Sequence, residues 1–282
     1  QDGCNNFCSY CIIPYARGRI RSRTMESIKA ELERLSASGF KEIVLTGINL
    51  SCYDDNGKKL IDVIEMADNV NGIERIRLGS LDPEVVTEDF VERLGKVKKI
   101  CPHFHFSLQS GCDKTLKAMN RHYTSDEYYE KCQLIRKYID NPAFTTDVIV
   151  GFPGETEEDF EETLDVVRKV QYDSAFTFIY SKRTGTPAAS MEQQIPQDVV
   201  KERFDRLLKT VQEISAQKTE KGVGSVQEVL VEEQNAQDAS LVTGRTSQNY
   251  VVHFKGDASM IGTLVSVRLD ESKGFYYLGT QV

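Results

Sequence analysis

The first two thirds of the chain alternate between short, almost continuously apolar runs and longer segments in which apolar residues recur at helical spacing. The apolar runs cover residues 42–47, 74–79, 103–108, 144–150 and 175–180. The helical segments cover residues 24–39, 59–67, 87–97, 124–139, 156–170 and 196–218. Apolar strands joined by helices are typical of a parallel sheet with both faces covered. The pattern predicts an α/β fold, with an open or closed (β/α) barrel favoured and a doubly wound sheet as the alternative.

Threonines mark the predicted helix starts. Thr24 and Thr87 precede helical segments as N-caps, and residues 124–127 and 156–159 have the pattern of a capping box or an acidic first turn. A side-chain oxygen at this position accepts a hydrogen bond from an otherwise unpaired amide of the first turn. The starts of these helices are therefore predicted more sharply than their ends.

After about residue 219 the pattern changes to short strands separated by turns. The predicted strands cover residues 228–231, 241–244, 250–254, 264–269 and 276–279. Short strands at this spacing are typical of a small all-β barrel of the OB-like type. The sequence therefore predicts two domains, a core of residues 1–218 and a small β-barrel of residues 219–282.

Composition and charge limit the possible partners. The 282 residues carry a formal net charge of −8, which argues against broad nonspecific binding to nucleic acid. A local basic patch can still bind RNA, and Arg17, Arg19, Arg21 and Arg23 lie within seven residues. They could contact phosphates or form a solvated loop. No apolar run has the length of a membrane-spanning helix.

Three cysteines within eight residues form the most specific signal in the chain. Cys4, Cys8 and Cys11 have the spacing C-x3-C-x2-C, with no fourth cysteine or histidine nearby. A structural zinc site normally has four protein ligands, whereas three thiolates can hold three irons of a cubane cluster and leave the fourth iron open. A zinc site with a distant ligand and a set of unrelated buried thiols are the alternatives. The odd total of seven cysteines and the lack of a signal peptide favour a reducing compartment.

Polar or glycine-rich residues follow each of the five predicted strands, where barrel enzymes place their active sites. They cover residues 46–49, 79–83, 107–111, 148–155 and 180–187. Each stretch alone is typical of a turn. Five of them behind a three-thiol loop indicate a site at this end of the barrel.

The residues around the cysteines resemble the methylthiotransferases, a radical S-adenosylmethionine (radical SAM) family. The resemblance rests first on residues 4–18, CNNFCSYCIIPYARG, and continues in residues 146–156 and 180–189. Residues 243–246 and 253–256 are similar to the RNA-binding TRAM barrel of that family, so the resemblance covers the whole chain.

Two further stretches bear on the branch within this family. Residues 78–83 and 107–113 look most similar to the branch that modifies N6-threonylcarbamoyladenosine in tRNA. The isopentenyladenosine branch is the next most similar, and the C-terminal tail and residues 175–180 resemble it.

The resemblance implies a cofactor chemistry and a set of residues for it. Cys4, Cys8 and Cys11 would hold a [4Fe–4S] cluster whose open iron binds S-adenosylmethionine, and a methylthio group would be added to C2 of a hypermodified adenosine next to the anticodon. The cofactors would carry the radical chemistry, so no catalytic side chain is assigned. The predicted cofactor-binding residues are Thr46, Gly47, Asn49, Ser107, Gln109, Arg121, Asp147, Val150, Gly151 and Phe152. The predicted RNA-contacting residues are Arg17, Arg19, Arg21, Arg23, Arg183, Arg245 and Lys255.

For two of these residues a structural role is an equal alternative. Arg121 could bind a carboxylate or phosphate of a ligand, because guanidinium recognises such groups bidentately. Asp147 lies within a predicted strand, and a carboxylate that faces a barrel interior requires a polar partner. Either residue could instead form a structural ion pair.

The chain also departs from the family pattern. The resemblance implies an N-terminal domain with a second, auxiliary [4Fe–4S] cluster and a barrel strand before the cysteines, and neither precedes Gln1. We therefore expect a fragment for which cofactor cleavage is more plausible than the complete reaction. The implied partners are the tRNA anticodon stem-loop and an electron donor such as flavodoxin or ferredoxin. A monomer in the cytoplasm, with no membrane contact, is expected. The alternatives are a ribosomal-protein aspartate methylthiotransferase and a non-catalytic RNA-binding module that carries a cluster or zinc.

Overall fold

The computed structural model describes all 282 residues. The helices are α1 (Ile13–Arg17), α2 (Met25–Ala37), α3 (Leu60–Asp68), α4 (Glu88–Leu94), α5 (Asp113–Ala118), α6 (Ser125–Tyr138), α7 (Glu157–Val170) and α8 (Gln197–Gly222). The strands are β1 (Glu42–Leu45), β2 (Asp54–Asp55), β3 (Lys58–Lys59), β4 (Arg75–Leu78), β5 (His103–His105), β6 (Ala143–Val150), β7 (Ser174–Ile179), β8 (Val226–Gln234), β9 (Leu241–Thr246), β10 (Val251–Lys255), β11 (Leu264–Ser272) and β12 (Tyr276–Gln281).

Five parallel strands form a half-open barrel, which we call the core barrel. β1 pairs with β4, and β5, β6 and β7 pair in that order. Isolated parallel bridges between Ile76 and Ile100 and between Leu81 and Phe106 join the two groups. β1 and β7 each pair on one side only, so the opening of the barrel lies between them. The predicted α/β barrel is confirmed, and the doubly wound alternative is wrong.

Side chains alternate between the helix layer and the barrel interior along each strand. On β6, Phe144 and Val148 are fully buried beneath the helices, whereas Thr145 and Asp147 on the opposite face are only partly buried. Full burial of a Phe or Val side chain contributes roughly 1.5–3 kcal/mol to stability. The core barrel is therefore held together by its helix-facing side, and its interior remains available to polar side chains.

The predicted helix starts are confirmed. Thr24, Thr87, Thr124 and Thr156 are the N-caps of α2, α4, α6 and α7, and each accepts a hydrogen bond from a first-turn amide. Thr124 and Thr156 each form a complete capping box. None of the helices combines the length and the apolar composition that a membrane crossing requires.

The last five strands close into a second barrel, which we call the small barrel. Its strand order is β10-β12-β11-β8-β9, and only the β10–β12 pair is parallel. Alternate residues point inward and form a separate core that includes Val229, Val252, Phe254 and Leu269. The predicted five-stranded β-barrel is confirmed. The 26-residue helix α8 leads into it through a three-residue connection, residues 223–225.

The two barrels share a polar interface at the amino-terminal ends of the core strands. Arg75 donates hydrogen bonds to the main-chain oxygens of Arg245 (3.0 Å) and Glu228 (2.7 Å). Arg77 donates to the main-chain oxygens of Ser247 (3.0 Å) and Thr246 (3.2 Å). The small barrel therefore closes the end of the core barrel opposite the cysteines.

Candidate functional site

The cysteine loop, residues 4–11, lies at the carboxyl-terminal end of the core barrel and is fastened by the residues that follow α5. The amide of Ser9 donates to the oxygen of Met119 (2.9 Å), and its hydroxyl donates to the oxygen of Ala118 (2.7 Å). Ser9 is buried, so both bonds are protected from water. One residue of the loop is thus fixed at two points of the barrel.

Asn120 adds a second attachment. Its side-chain amide donates to the oxygens of Asn6 (2.8 Å) and Phe7 (3.1 Å). Asn120 has φ +59° and Phe7 has φ +47°. Asn tolerates this left-handed region, whereas a bulky aromatic residue there is strained unless its surroundings hold it. The amide of Asn120 supplies part of that constraint, and sequence reasoning missed this residue.

A close backbone approach fixes the start of the loop. Gly3 has φ +72°, and a Cβ at this position would lie 2.0 Å from the main-chain oxygen of Arg19. Only glycine allows both the conformation and the contact. The amide of Cys4 then donates to the oxygen of Gly18 (3.2 Å). The arginine-rich segment therefore packs against the cysteine loop.

The three thiols line one cavity of about 150 Å³, which we call the cluster cavity. Four predicted cofactor-binding residues also line it: Asn49, Ser107, Gln109 and Arg121. Asp82 and Ser80 line it as well and were not assigned from the sequence. Both follow β4 in a stretch recognised as a polar strand end, so a signal for them was present.

The number and placement of the thiols fit an iron–sulfur cluster. No cysteine forms a disulfide, and no group of three or more His, Cys, Asp or Glu side chains is placed to hold one metal ion. The three thiols nevertheless face a common space. In a cubane cluster each thiolate binds a different iron, so the sulfurs need not converge on one point. The donor set therefore fits a [4Fe–4S] cluster with one open iron.

Arg121 is the charged centre of this cavity. Its side chain is 9% exposed, and it donates to Asp82 (3.0 Å), to the Tyr123 hydroxyl (3.1 Å) and towards the Cys8 sulfur (3.6 Å). Burial alone would lower the pKa of Arg121, but Tyr123, Tyr10, Asp82 and Cys8 outweigh burial and raise it. The guanidinium therefore stays charged beside a thiol. The structural ion pair considered for Arg121 is present, with Asp82 as the partner, and the contact of Arg121 with a ligand stays a prediction.

The other predicted cofactor-binding residues lie around the cluster cavity rather than in its lining. Phe152 is fully buried and makes edge-to-face contacts with Tyr10 (centroids 6.5 Å apart) and Tyr180 (5.5 Å). Gly151 forms a turn at φ +74°, and its amide donates to the buried Glu155 carboxylate (3.1 Å). Thr46, Gly47 and Val150 lie at strand ends outside the cavity, and Asp147 lies within β6.

Asp147 belongs to a row of hydrogen-bonded side chains inside the core barrel. Its carboxylate accepts from the Ser107 hydroxyl (3.2 Å) and contacts His105 Nε2 (3.1 Å). His105 Nδ1 and His103 Nε2 both contact the Thr145 hydroxyl, at 3.0 and 3.1 Å. The Ser107 hydroxyl in turn lies 2.9 Å from that of Ser80. The polar partners of Asp147 are thus His105 and Ser107, and neither a lysine nor an arginine pairs with it.

The four remaining cysteines do not line the cluster cavity. Burial raises the pKa values of Cys101 and Cys112 to about 11 and that of Cys132 to about 12. Cys52 is partly exposed and does not line the cluster cavity. Cys101, Cys112 and Cys132 therefore stay thiols at neutral pH. Cys112 does not line the cavity either.

The predicted RNA-contacting residues divide into paired and unpaired side chains. Arg21 pairs with Asp2, Arg23 lies 3.6 Å from Glu31, and Arg245 lies 3.2 Å from Glu232. The residues without an ion pair are Arg17, Arg19, Arg183 and Lys255, and all four are exposed. The unpaired side chains are the ones free to contact phosphates.

Two family models match the chain. One, described as the radical SAM superfamily, matches residues 1–167, and the other, described as the TRAM domain, matches residues 220–282. Curated relatives named tRNA-2-methylthio-N(6)-dimethylallyladenosine synthase are 52% identical in Lachnoclostridium phytofermentans, covering 98% of this chain, and 46% identical in Clostridium botulinum, covering 99%. The chain spans 61% and 63% of the lengths of these two relatives.

Solved structures share the fold at low sequence identity. Coproporphyrinogen III oxidase from Escherichia coli superposes with a TM-score of 0.59 at 12% identity, over 100% of this chain and 70% of that one. A radical S-adenosylmethionine methyltransferase from Kitasatospora setae, with cobalamin and a [4Fe–4S] cluster bound, gives a TM-score of 0.56 at 22% identity, over 66% of this chain and 37% of that one. At these identities the likeness concerns the fold alone.

The comparisons correct one prediction. The placement closest to the N6-threonylcarbamoyladenosine branch is wrong, because the similar relatives carry N6-dimethylallyladenosine, the isopentenyl modification, in their names. The physical reason lies in the stretches used for that placement. Ser80, Asp82, Ser107 and Gln109 line the cluster cavity. Residues that line the cavity beside the thiols, a feature that both branches share, do not report on the substituent of the substrate.

Proposed function

We propose that this chain, which belongs to the radical SAM superfamily, forms the catalytic and RNA-holding part of a tRNA methylthiotransferase. Its substrate would be N6-dimethylallyladenosine next to the anticodon, and the methylthio group would be added to C2. The observation that carries the proposal is the convergence of Cys4, Cys8, Cys11 and the charged Arg121 on one cavity at the carboxyl end of the core barrel. The names of relatives up to 52% identical supply the substrate.

The superfamily uses a [4Fe–4S] cluster and S-adenosylmethionine. When bound, this pair supplies one-electron chemistry that removes a hydrogen atom from an unactivated carbon. The three cysteines would hold the cluster, and their number leaves one iron open for the cofactor. An auxiliary cluster, an electron donor such as flavodoxin or ferredoxin, a monomeric state and a cytoplasmic location stay predictions of the sequence.

The side chains around the thiols would orient the cofactor. Arg121 donates towards Cys8 and would stabilise it as a thiolate by a charge-assisted hydrogen bond. Gln109 holds an unusual φ of +66° between hydrogen bonds to Asp147 and Ile149, which fixes its position at the cavity wall. Asn49 and Ser107 would add polar contacts from two other strand ends.

The small barrel and the arginine-rich segment would hold the RNA. Arg17 and Arg19 are exposed and unpaired beside the cysteine loop, and Arg19 lies over the Phe7 ring at 4.9 Å. Lys255 offers a further unpaired cation on the small barrel. Phosphate contacts of this kind position an RNA without reading its sequence.

Anaerobic reconstitution tests the proposal in two steps. The reconstituted chain should bind about four iron and four sulfide, and it should release 5′-deoxyadenosine from S-adenosylmethionine after reduction. Mass spectrometry of nucleosides from a cell strain that lacks the gene should then show dimethylallyladenosine without the methylthio group. One bound zinc and no cofactor cleavage contradicts the radical chemistry, and unchanged tRNA nucleosides contradict the RNA substrate.

A further inference from the structure

A second cavity, of about 520 Å³, occupies the interior of the core barrel below the cluster cavity, and we call it the lumen cavity. Its walls include His105, Asp147 and Phe176 of the core barrel, and its floor includes Asn249 and Phe275 of the small barrel. Ser80 lines both cavities, so they adjoin at the carboxyl end of β4. A ligand in the lumen cavity would therefore lie next to whatever occupies the cluster cavity.

One buried polar atom in this cavity has no partner. His103 is 6% exposed and lines the cavity, and its Nδ1 makes no hydrogen bond although its Nε2 contacts Thr145 at 3.1 Å. Burial lowers the pKa of His103 to about 3, so the imidazole is neutral at physiological pH. Buried polar atoms in folded proteins are nearly always paired. The unpaired nitrogen indicates that a polar ligand or ordered water completes the site.

Two phenylalanines leave large apolar surfaces uncovered in the same cavity. Phe176 is 58% exposed on β7, and Phe275 is 64% exposed in the turn between β11 and β12. They come from different barrels, yet both line the lumen cavity. Exposed aromatic side chains next to polar groups are typical of a site for a planar, partly apolar ligand such as a nucleobase.

The charges in the lining decide which substituent such a base can carry. The acids are Asp147 and Asp173, the latter paired with Lys218 at 2.6 Å. The only permanently charged cation in the lining, Arg245, is paired with Glu232 at 3.2 Å. A ligand carboxylate would be buried here beside acids and without a free cation, which is costly. A neutral apolar group would instead cover the two phenylalanines.

We propose that the lumen cavity receives the target adenine, turned out of its RNA loop, and that Phe176 and Phe275 select a neutral apolar N6 substituent over one that carries a carboxylate. This inference rests on the proposed function. A base turned out of its stack is read by polar contacts at its edge and by stacking. With its C2 edge towards Ser80 and the cluster cavity, its N6 substituent is directed to the aromatic part of the lumen.

Three RNA hairpins of identical sequence test the selection. They carry adenosine, N6-dimethylallyladenosine or N6-threonylcarbamoyladenosine next to the anticodon, and calorimetry with the anaerobically reconstituted chain gives the three Kd values. The dimethylallyl hairpin should bind roughly tenfold more tightly than the unmodified one, and the threonylcarbamoyl hairpin more weakly than either. Phe176→Ala and Phe275→Ala should each reduce the dimethylallyl preference to about threefold or less. Phe275→Arg should favour the threonylcarbamoyl hairpin relative to the unmodified one.

Two further variants separate the pocket from the general RNA contact. Ile261→Ala, at a residue 45% exposed on the small barrel and outside the lumen cavity, should leave all three Kd values unchanged. Lys255→Ala should weaken all three hairpins by the same factor. If the hairpins bind tightly and the ratios of their Kd values are unchanged in both phenylalanine variants, the assignment of the lumen cavity is wrong, while the proposed function is unaffected. A chain that binds none of the hairpins contradicts the proposed function itself.

Discussion

Buried arginines lie at both ends of the core barrel, but their guanidinium groups have different hydrogen-bond partners. At the small-barrel end, Arg75 and Arg77 direct donors to main-chain oxygens of the small barrel. Arg75 also pairs with Glu228 at 3.0 Å, and Arg77 pairs with Glu42 at 2.8 Å. At the cysteine end, Arg121 has one carboxylate partner, Asp82. Its remaining donors face a tyrosine, a thiol and an open cavity.

The difference separates a structural end from a reactive end. Main-chain oxygens and the carboxylates of Glu42 and Glu228 occupy the donors of Arg75 and Arg77, so these two arginines join the two domains and keep no donor for a ligand. Arg121 keeps its charge next to Cys8 in a cavity with room for further atoms. A buried cation that is only partly satisfied within the chain favours an anionic ligand or a thiolate.

The largest expected effect is at the cysteine end. Replacing Cys4, Cys8 or Cys11 by alanine should reduce the iron content of the reconstituted chain from about four to well below one, because a cubane held by two thiolates loses its irons. Iron analysis and the visible absorption of the cluster measure the change. Cys52→Ala is the matched control and should keep the full cluster, since Cys52 does not line the cluster cavity. A cluster lost in Cys52→Ala and kept in Cys11→Ala would show that the wrong thiol was assigned.

Replacing Arg121 should have the second-largest effect. Arg121→Met leaves Asp82, whose side chain is 11% exposed, as an unpaired buried charge, which should lower the free energy of unfolding by about 3–5 kcal/mol. Urea unfolding of the cluster-free chain measures it. The double variant Arg121→Met/Asp82→Asn removes both charges and should recover most of the loss. An equal loss in the single and double variants would mean that Arg121 stabilises the fold by packing rather than by its charge.

A substitution at the small-barrel end should lower the free energy of unfolding by a smaller amount, and it should also uncouple the unfolding of the two barrels. Arg75→Met removes a guanidinium that is 4% exposed and should cost about 2–3 kcal/mol, since its charged hydrogen bonds cross between domains. Calorimetry should then show separate transitions for the two barrels. Arg268→Met, at an exposed arginine paired only with Asp270 of the same strand, is the control and should keep the wild-type profile. A single unshifted transition in Arg75→Met would contradict the joining role.

Local patterns predicted the elements and the thiol loop. The four threonine caps, the five core strands and the five strands of the small barrel depend on neighbours within a few residues, which the sequence displays directly. The three thiols are likewise adjacent in sequence. For Arg121 the sequence predicted two possible roles, a ligand contact and a structural ion pair, and could not decide between them. The ion-pair partner, Asp82, lies 39 residues away in the sequence.

The residues that were missed depend on distant parts of the chain. Arg75 and Arg77 lie in a stretch interpreted as an apolar strand, and their partners lie about 170 residues later in the small barrel. Asn120 contacts main-chain oxygens more than 110 residues away. Main-chain acceptors have no residue type, so no sequence pattern could have identified these contacts. The lumen cavity was missed for the same reason, because two domains form it.

The smallest expected effect is a pH dependence at the small-barrel end. Burial, assisted by Arg77 and other nearby cations, lowers the pKa of His103 from 6.5 to about 3. The unfolded chain therefore binds a proton at this residue below pH 6.5 while the folded chain does not. Its contribution to stability is complete above pH 6.5 and is lost as the pH falls from 6.5 towards 3.

Urea unfolding at pH 6.5 and pH 5.5 measures this effect. The wild-type chain should lose up to about 1.4 kcal/mol more than His103→Gln over this interval, because each pH unit below the unfolded pKa corresponds to that amount. His122→Gln, at an exposed histidine, is the matched control and should lose as much as the wild type. Equal losses in the wild type and His103→Gln would show that His103 is protonated in the folded chain. The lumen cavity would then hold a cation that could pair with a ligand carboxylate. The small-barrel end would in that case contain a charged group available to a ligand, as the cysteine end does.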